Sequence, residues 1–393
     1  MVEVKGSVEI AGAGLAGLSA AAAFARSGWK VRVHERGEQL REIGAGIFMW
    51  ENGLRVLEAI GAFDDATAGG ERDEYWEIRD ERERLLQSGW MMSGTRLYTI
   101  LRSTLHQALA EAAIMAGAEI VLSSRVIRAT PEGQIFLESG EKKHADLVIG
   151  ADGVNSAVRD SLGLLEKNVD LMDGCGRYLI PRSPDDPVRK SLEYWKGGRR
   201  IGIVPASTDK VYIYLCCPAE DIEGKRSPVN HDTWIKSFPN LRAYIERVTD
   251  NGRWASFSDV TCKAWSRGRV AIIGDAAHAM SPNLGQGACV AMQSSYALSQ
   301  ELAGTTDIPS TLMRWEKRLR PVVDATQRFS RFYGRVGTKW PAPLLDLRSA
   351  LIWAIGRSST LQRKINAAAH SDVTIASSGP AESSISPEHF TSH

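Results

Sequence analysis

Three glycine-rich segments, far apart in the chain, carry the residues best suited to chemistry on a phosphate-bearing ligand. The first, Gly12-Ala13-Gly14-Leu15-Ala16-Gly17, follows the apolar stretch Val8 to Ala11. Gly12 permits a tight strand-to-helix turn, Gly14 lets the backbone approach a pyrophosphate, and Gly17 lets the helix pack on the strand. Leu15 and Ala16 open that helix, whose unpaired amides and partial positive charge suit phosphates. Glu35, ending the run from Val31, stands where a carboxylate can accept hydrogen bonds from an adenosine ribose. The second segment, Gly150-Ala151-Asp152-Gly153, comes after Leu147-Val148-Ile149, and the third, Gly274-Asp275-Ala276-Ala277-His278, comes after Val270 to Ile273. One dinucleotide fingerprint is common; three such segments in this order point to a bound flavin.

The elements that must hold these segments can be read from periodicity. Val8 to Ala11 reads as a buried parallel strand, Leu15 to Arg26 as a helix ended by Gly28, and Val31 to Glu35 as the next strand, a compact βαβ unit. Glu51 to Ile60 has apolar residues at helical spacing with Gly61 as its stop, and Thr99 to Ala116 reads as a helix returning through a strand at Glu119 to Leu122. From about Glu71 to Trp90, and again from about Asp170 to Cys262, the pattern becomes antiparallel, with Ile201 to Val204 and Val211 to Leu215 forming a hairpin around Ser207-Thr208-Asp209. Val290 to Ala303 and Thr311 to Val336 read as helices, with a break expected at Pro321. The expected fold is therefore α/β: a Rossmann-like parallel sheet that binds FAD, an inserted antiparallel substrate sheet, and C-terminal helices. The expected division is 1–70, 96–169 and 263–305 for the FAD-binding domain, 71–95 and 170–262 for the substrate domain, 306–370 for the C-terminal helices, and a disordered tail over 371–393.

At 393 residues, 43% hydrophobic and 24% charged, the chain has the composition of a globular protein with a large core. A net charge of +1 gives no reason to expect nucleic acid or an anionic membrane as partner. The five cysteines form no Cys-x-x-Cys pair, so neither a disulfide framework nor a metal site is expected. No signal peptide or membrane-spanning run is read, and the expected location is the cytoplasm. A second Gly-x-Gly-x-x-Gly and a Cys-x4-Cys redox pair are both absent, which argues against a disulfide reductase with two nucleotide domains.

Taken together, Gly12 to Gly17 with Glu35, the Gly-Ala-Asp-Gly at 150–153, and the Gly-Asp at 274–275 followed by Pro282 resemble the p-hydroxybenzoate hydroxylase family of class A, single-component FAD-dependent aromatic monooxygenases. The likeness runs to about residue 335. It implies that Asp152 and Gly153 lie where FAD and the nicotinamide are both influenced, and that Asp275 binds the ribityl chain. It also implies that Pro282-Asn283-Leu284-Gly285-Gln286-Gly287-Ala288 passes under the isoalloxazine ring. Arg41 and Arg102 would contact the pyrophosphate or its sugar, Arg36 would flank the adenosine, and the Val126 backbone would lie beside the adenine. NADH or NADPH would be the reductant, binding without a Rossmann domain of its own, and O2 would be the second co-substrate.

On the substrate side, Gly44 to Glu58, Tyr178 to Arg182, and Trp265 to Gln300 resemble the 2-methyl-3-hydroxypyridine-5-carboxylate oxygenase branch of that family. That resemblance implies that Arg200 holds a substrate carboxylate and that Tyr212 hydrogen-bonds the ring or an ordered water. Arg182 is a second carboxylate candidate, Tyr75 a third polar contact, and Phe48, Met49 and Trp50 are candidate pocket walls. The strand around Asp259 to Cys262 is a candidate to face the substrate. The implied reaction is hydroxylation, with or without ring opening, of an aromatic or N-heteroaromatic hydroxy acid through a C4a-hydroperoxyflavin. The alternatives are a plain phenolic-acid hydroxylase of the salicylate type and a flavin-binding redox sensor. A monomer and a homo-oligomer both remain open.

Overall fold

The computed structural model describes residues 5–40, 44–91, 94–250 and 252–374. Its first layer is a six-stranded sheet in the order Ser266–Arg267, Val270–Ile272, Leu147–Gly150, Ser7–Ala11, Lys30–His34 and Glu119–Val121. Every pairing is parallel except the first. Such strands are covered on both faces, which is why they read as apolar runs without alternation. Register explains how three distant motifs meet: Ala11 pairs with Gly150, and Gly150 pairs with Ile272. Gly12, Ala151 and Ile273 therefore leave neighbouring strands at the same carboxyl edge, where open α/β sheets hold their ligands.

The helix Leu15–Arg26 packs its small residues into the core, and Gly28 reverses the chain with φ +87°. The helix Glu51–Ile60 stops at Gly61 in the left-handed conformation, as its sequence predicts. Thr99 is a different case. The helix expected from Thr99 begins at Arg102, because Leu97–Leu101 is a strand paired with Gly46–Trp50 and Glu71–Asp73. Thr99 and Ile100 are β-branched residues that this three-stranded sheet buries.

The second layer is a seven-stranded sheet ordered Trp254–Cys262, Leu165–Pro181, Lys210–Pro218, Arg199–Pro205, Lys190–Lys196, Tyr75–Arg79 and Leu85–Trp90. Its outer face carries Ile180, Ile201, Ile203, Ile213 and Leu215 against Trp234, Phe238 and Ile245 from short helices. The inner face looks back toward the first layer and the C-terminal helices. Ile308–Thr338 is one continuous helix, and Pro321 does not break it. Pro321 is on the exposed side, where water can serve the carbonyl it leaves unpaired. Buried Leu312, Trp315, Leu319 and Val323 anchor both halves. Among the described residues, no helix is long and apolar enough to cross a membrane.

Candidate active site

The carboxyl edge of the parallel sheet is shaped by what its glycines exclude. Gly12 has φ +101°, and a Cβ there would lie 2.5 Å from the Ala151 carbonyl oxygen. A Cβ on Gly17 would lie 2.0 Å from the Gly12 carbonyl oxygen, so the helix start sits directly on the turn. Gly14 differs: a Cβ there would meet nothing within 4 Å, leaving space above the amino end of the helix. Gly274, at φ +58°, brings the third segment against Ala16, where a Cβ would come within 2.8 Å. First and third segments thus form one cradle.

Glu35 completes the cradle. Its Oε2 accepts the Ala13 amide at 2.9 Å and its Oε1 accepts the Gly37 amide at 2.8 Å. Each carboxylate oxygen keeps a second acceptor position, so ribose hydroxyls can be bound without breaking the loop. Arg36 is exposed beside this loop. The chain from Ser123 to Ser124 runs alongside, its amides bound to the carbonyls of Gly37 and Glu35. Val126, buried, follows it. Arg102 begins its helix, with its side chain folded against Gly44, where a Cβ would be 2.8 Å from Cδ. Arg41 lies outside the described residues.

Asp152 turns its carboxylate inward. It accepts from the Ser156 hydroxyl and from the Val158 amide at 3.1 Å, and burial raises its pKa. Gly153 follows at φ +83° with open space around it. Asp275 is exposed at the start of the short helix Asp275–His278. His278 is buried against Trp265, and burial pushes its pKa down to about 4, so at neutral pH it is an uncharged packing residue.

The loop from Pro282 to Ala288 lies between the layers. Gly285 has φ +62°, and a Cβ there would come within 3.1 Å of Phe48 and 3.3 Å of Trp50 Nε1. Gln286 is held by the Asn52 amide at 3.2 Å, and no side chain caps the helix Gly287–Leu302 that follows. The uncapped amino end at Gly287 and Ala288 suits an electron-rich group such as a flavin carbonyl. The open cradle at Gly14, the ribose-ready Glu35 and this uncapped helix make the residues a fit for FAD.

Above the loop, strand register sorts the side chains of the second sheet. Leu179 pairs with Tyr212, Arg177 with Tyr214, Cys175 with Cys216, and Arg200 with Cys216 in turn. All of these face inward. Leu179, Val204, Tyr212 and Tyr214 pack in contact with Ala45 and Phe48, forming an apolar seam, or slot, between the sheet and the strand Gly46–Trp50. Tyr212 touches that strand so closely that a Cβ on Gly46 would lie 2.7 Å from its ring. Burial raises its pKa, so it remains a neutral phenol. A cavity of about 130 Å3 lies behind Asp173, Ser281 and Asn283, lined also by Arg331 and Arg335.

Arg200 and Tyr212 do share the inner face, but they differ in access. Arg200 is only 1% exposed. Its Nη2 donates to Asn283 Oδ1 at 2.6 Å, its Nη1 is 3.4 Å from Glu193, and Tyr333 and Trp195 cover its guanidinium. Glu193 has no counterpart in the sequence reading. It accepts from the Trp195 indole at 2.6 Å, from the Tyr333 hydroxyl at 3.3 Å and from the Tyr214 hydroxyl. A lone glutamate in a strand offers no spacing signal that would reveal such a hub.

Other expected contacts are placed elsewhere. Tyr75 pairs with Lys190 and lies on the outer face, with the Lys190 ammonium 5.3 Å from its ring centre; Trp76 is the residue that turns inward. Strand alternation separates Tyr75 from Arg200 and Tyr212. Arg182 is tied to Glu71 and to the Ser207 carbonyl, so it is committed to holding loops together. Met49 is fully buried in the first core while Phe48 lines the slot. Asp259 is paired with Arg331 of the long helix rather than turned to the slot.

Comparison with known proteins bears on this geometry. A family model described as an FAD binding domain matches residues 5–330. A putative 2-heptyl-3-hydroxy-4(1H)-quinolone synthase of Rhodococcus erythropolis is 38% identical over 365 residues, covering 91% of this chain and 94% of that protein. A 2-heptyl-3-hydroxy-4(1H)-quinolone synthase of Mycobacteroides abscessus is 34% identical over 365 residues, 90% of this chain and 95% of its own. Among solved structures, the tetrameric form of 2-methyl-3-hydroxypyridine-5-carboxylic acid oxygenase superposes with a TM-score of 0.84 at 33% identity, covering 94% of this chain and 97% of that one.

Proposed function

The chain belongs to the FAD-binding-domain family of flavoprotein monooxygenases, and from that premise we propose that it hydroxylates an N-heteroaromatic ring bearing a hydroxyl or oxo group. It is an FAD-dependent oxidoreductase whose co-substrates are NAD(P)H and O2. The observation that carries the substrate reading is the apolar slot of Ala45, Phe48, Leu179 and Val204, roofed by the phenols of Tyr212 and Tyr214. A flat ring entering between those walls would meet apolar side chains, with a neutral phenol beside it to hold a ring oxygen in position. Relatives named for a hydroxyquinolone and for a hydroxypyridine share that ring chemistry.

When bound, FAD supplies hydride acceptance and oxygen activation. The protein binds, orients and seals. Glu35 and the glycine turn hold the nucleotide end, the 282–288 loop supports the reacting end, and the inner sheet face keeps water from the slot. The five described thiols are free and buried, which supports a reducing, cytoplasmic setting. A homo-oligomer is the proposed assembly, by likeness to the related tetrameric oxygenase.

The test is NAD(P)H oxidation by FAD-loaded protein against hydroxybenzoates, hydroxypyridines and 4(1H)-quinolones, with product mass after turnover in 18O2. Stimulation by the N-heteroaromatic members with label in the product is the expected result. One labelled oxygen atom identifies hydroxylation, while two atoms with loss of aromatic absorbance identify ring opening. Stimulation confined to hydroxybenzoates would replace this reading with the phenolic-acid hydroxylase. Oxidation untouched by every ring would favour the redox sensor.

A further inference from the structure

We propose that the acidic oxygen of the substrate is received by Arg177 together with Tyr212, and that Arg200 is not the anchor. The proposal deepens the functional reading above and rests on it.

The argument starts from an inventory of charge on the inner sheet face. Arg200 is enclosed, although its Nε has no hydrogen-bond partner: Glu193 lies on Nη1, Asn283 on Nη2, and the rings of Trp195 and Tyr333 over its guanidinium. Its remaining nitrogen, Nε, is sealed against the long helix, where a Cβ on Gly337 would lie 2.8 Å away. A bidentate carboxylate contact needs a guanidinium edge turned to the ligand. Arg200 turns none. Glu193 already does, from within the protein, what a substrate carboxylate would do.

Arg177 is the opposite case. It lies on the same face, opposite Tyr214 and one pleat from Leu179 and Tyr212, and unlike Arg200 it is partly exposed. Its ring neighbour is Phe257, 5.7 Å away, which supports the guanidinium from the strand side. Among the described residues no carboxylate forms a salt bridge with it, and the groups nearest its charge are Tyr212, Cys175 and Cys216. A partly buried cation with no such partner is costly, and an anionic ligand oxygen would complete it.

Tyr212 makes the pair specific. Burial keeps it a neutral phenol with an O–H to donate, and it stands on the same inner face as Arg177, one residue pair along the ladder. A ligand oxygen in the slot between Leu179 and Val204 can then take one hydrogen bond from the guanidinium and one from the phenol. The chemistry so recognised is a single acidic oxygen on a flat ring. An ionisable ring hydroxyl, as in the hydroxy tautomer of a 4(1H)-quinolone, provides it, and so does a ring carboxylate.

The experiment uses the full chain loaded with FAD and two probes, 2-methyl-4(1H)-quinolone and 2-methyl-3-hydroxypyridine-5-carboxylate. KM and kcat come from NAD(P)H oxidation, and Kd comes from quenching of tryptophan fluorescence without turnover. Arg177→Met should raise KM and Kd at least ~30-fold for the probe that the wild type takes, with kcat at saturation within ~3-fold. Arg177→Lys should recover part of the loss, since it restores the charge without the fork. Arg200→Met should lower thermal stability yet leave Kd within ~3-fold. Which probe the wild type prefers tells a ring hydroxyl from a carboxylate as the oxygen received. Unchanged Kd in Arg177→Met, or an equal rise in Arg200→Met, would overturn the anchor; should Arg177→Met fail to fold, Arg177→Lys against Arg200→Met decides. Wild-type protein that ignores both probes would instead overturn the functional reading, and the anchor with it.

Discussion

The two walls of the proposed site are made of different material. The flavin wall is mostly backbone: turns whose glycines are required because a Cβ at Gly12 or Gly17 would collide with a carbonyl oxygen. The substrate wall is mostly side chains, set on alternate positions of strands whose backbone is ordinary. A backbone wall fixes one ligand and tolerates little change. A side-chain wall can be rewritten one residue at a time, which is how one scaffold serves many aromatic substrates.

The sharpest way to break this comparison is to add single methyl groups to the flavin wall. Gly17→Ala places a Cβ 2.0 Å from the Gly12 carbonyl oxygen, so the turn and helix cannot both persist. Loss of both FAD and thermal stability is expected, with Tm lowered by more than ~10 °C. Gly14→Ala fills empty space and should leave the FAD-free Tm within ~2 °C while FAD retention falls at least ~10-fold. Absorbance at the flavin band and melting curves with and without FAD check both. Equal behaviour of the two variants would mean that the space above Gly14 is not where the pyrophosphate sits.

That contrast also explains what was legible in the sequence. Glycines demanded by sterics recur at fixed spacing, so the turns proposed here as the cradle, with Glu35 and the 282–288 loop, could be named from the chain alone. Arg199 and Arg200 are adjacent and chemically identical, and only strand parity separates them. Arg199 turns outward to Asp221 at 2.6 Å and Trp234, while Arg200 turns inward to Glu193. Parity is normally read from alternation of polar and apolar residues. Here helices cover one face and the flavin domain the other, so both faces are apolar and the alternation is lost. The same loss of alternation hides Arg177, the anchor proposed above, from the sequence. Pro321 misled differently: a local rule for helix breaking was overridden by the tertiary packing of a long helix.

On the substrate wall the largest effect expected is one of stability. Glu193→Ala removes the carboxylate that accepts from Tyr214, Tyr333 and Trp195 and leaves Arg200 as a buried cation. Breaking such a pair from one side costs ~3–5 kcal/mol, and denaturant unfolding of the FAD-free chain would measure it. Glu193→Gln keeps the shape and some acceptors, so a smaller loss is expected. FAD retention should hold in both, because Glu193 touches no part of the cradle. A loss of FAD matching the loss of stability would erase the division between the walls.

The smallest effect should come from Tyr75. Its strand partner Lys190 and its outward orientation place it across the sheet from the slot, and a strand cannot present the same residue to both faces. Tyr75→Phe should therefore leave KM and kcat within ~2-fold. Trp76 is the informative neighbour. It turns inward and joins Ile78, Leu86 and Trp195 under the C-terminal helices. Trp76→Ala should destabilise the chain by several-fold more than Tyr75→Phe, for loss of buried aromatic area. If steady-state kinetics instead single out Tyr75, the sheet must slide by one residue when ligand binds, since only a register shift could bring that phenol to the inner face.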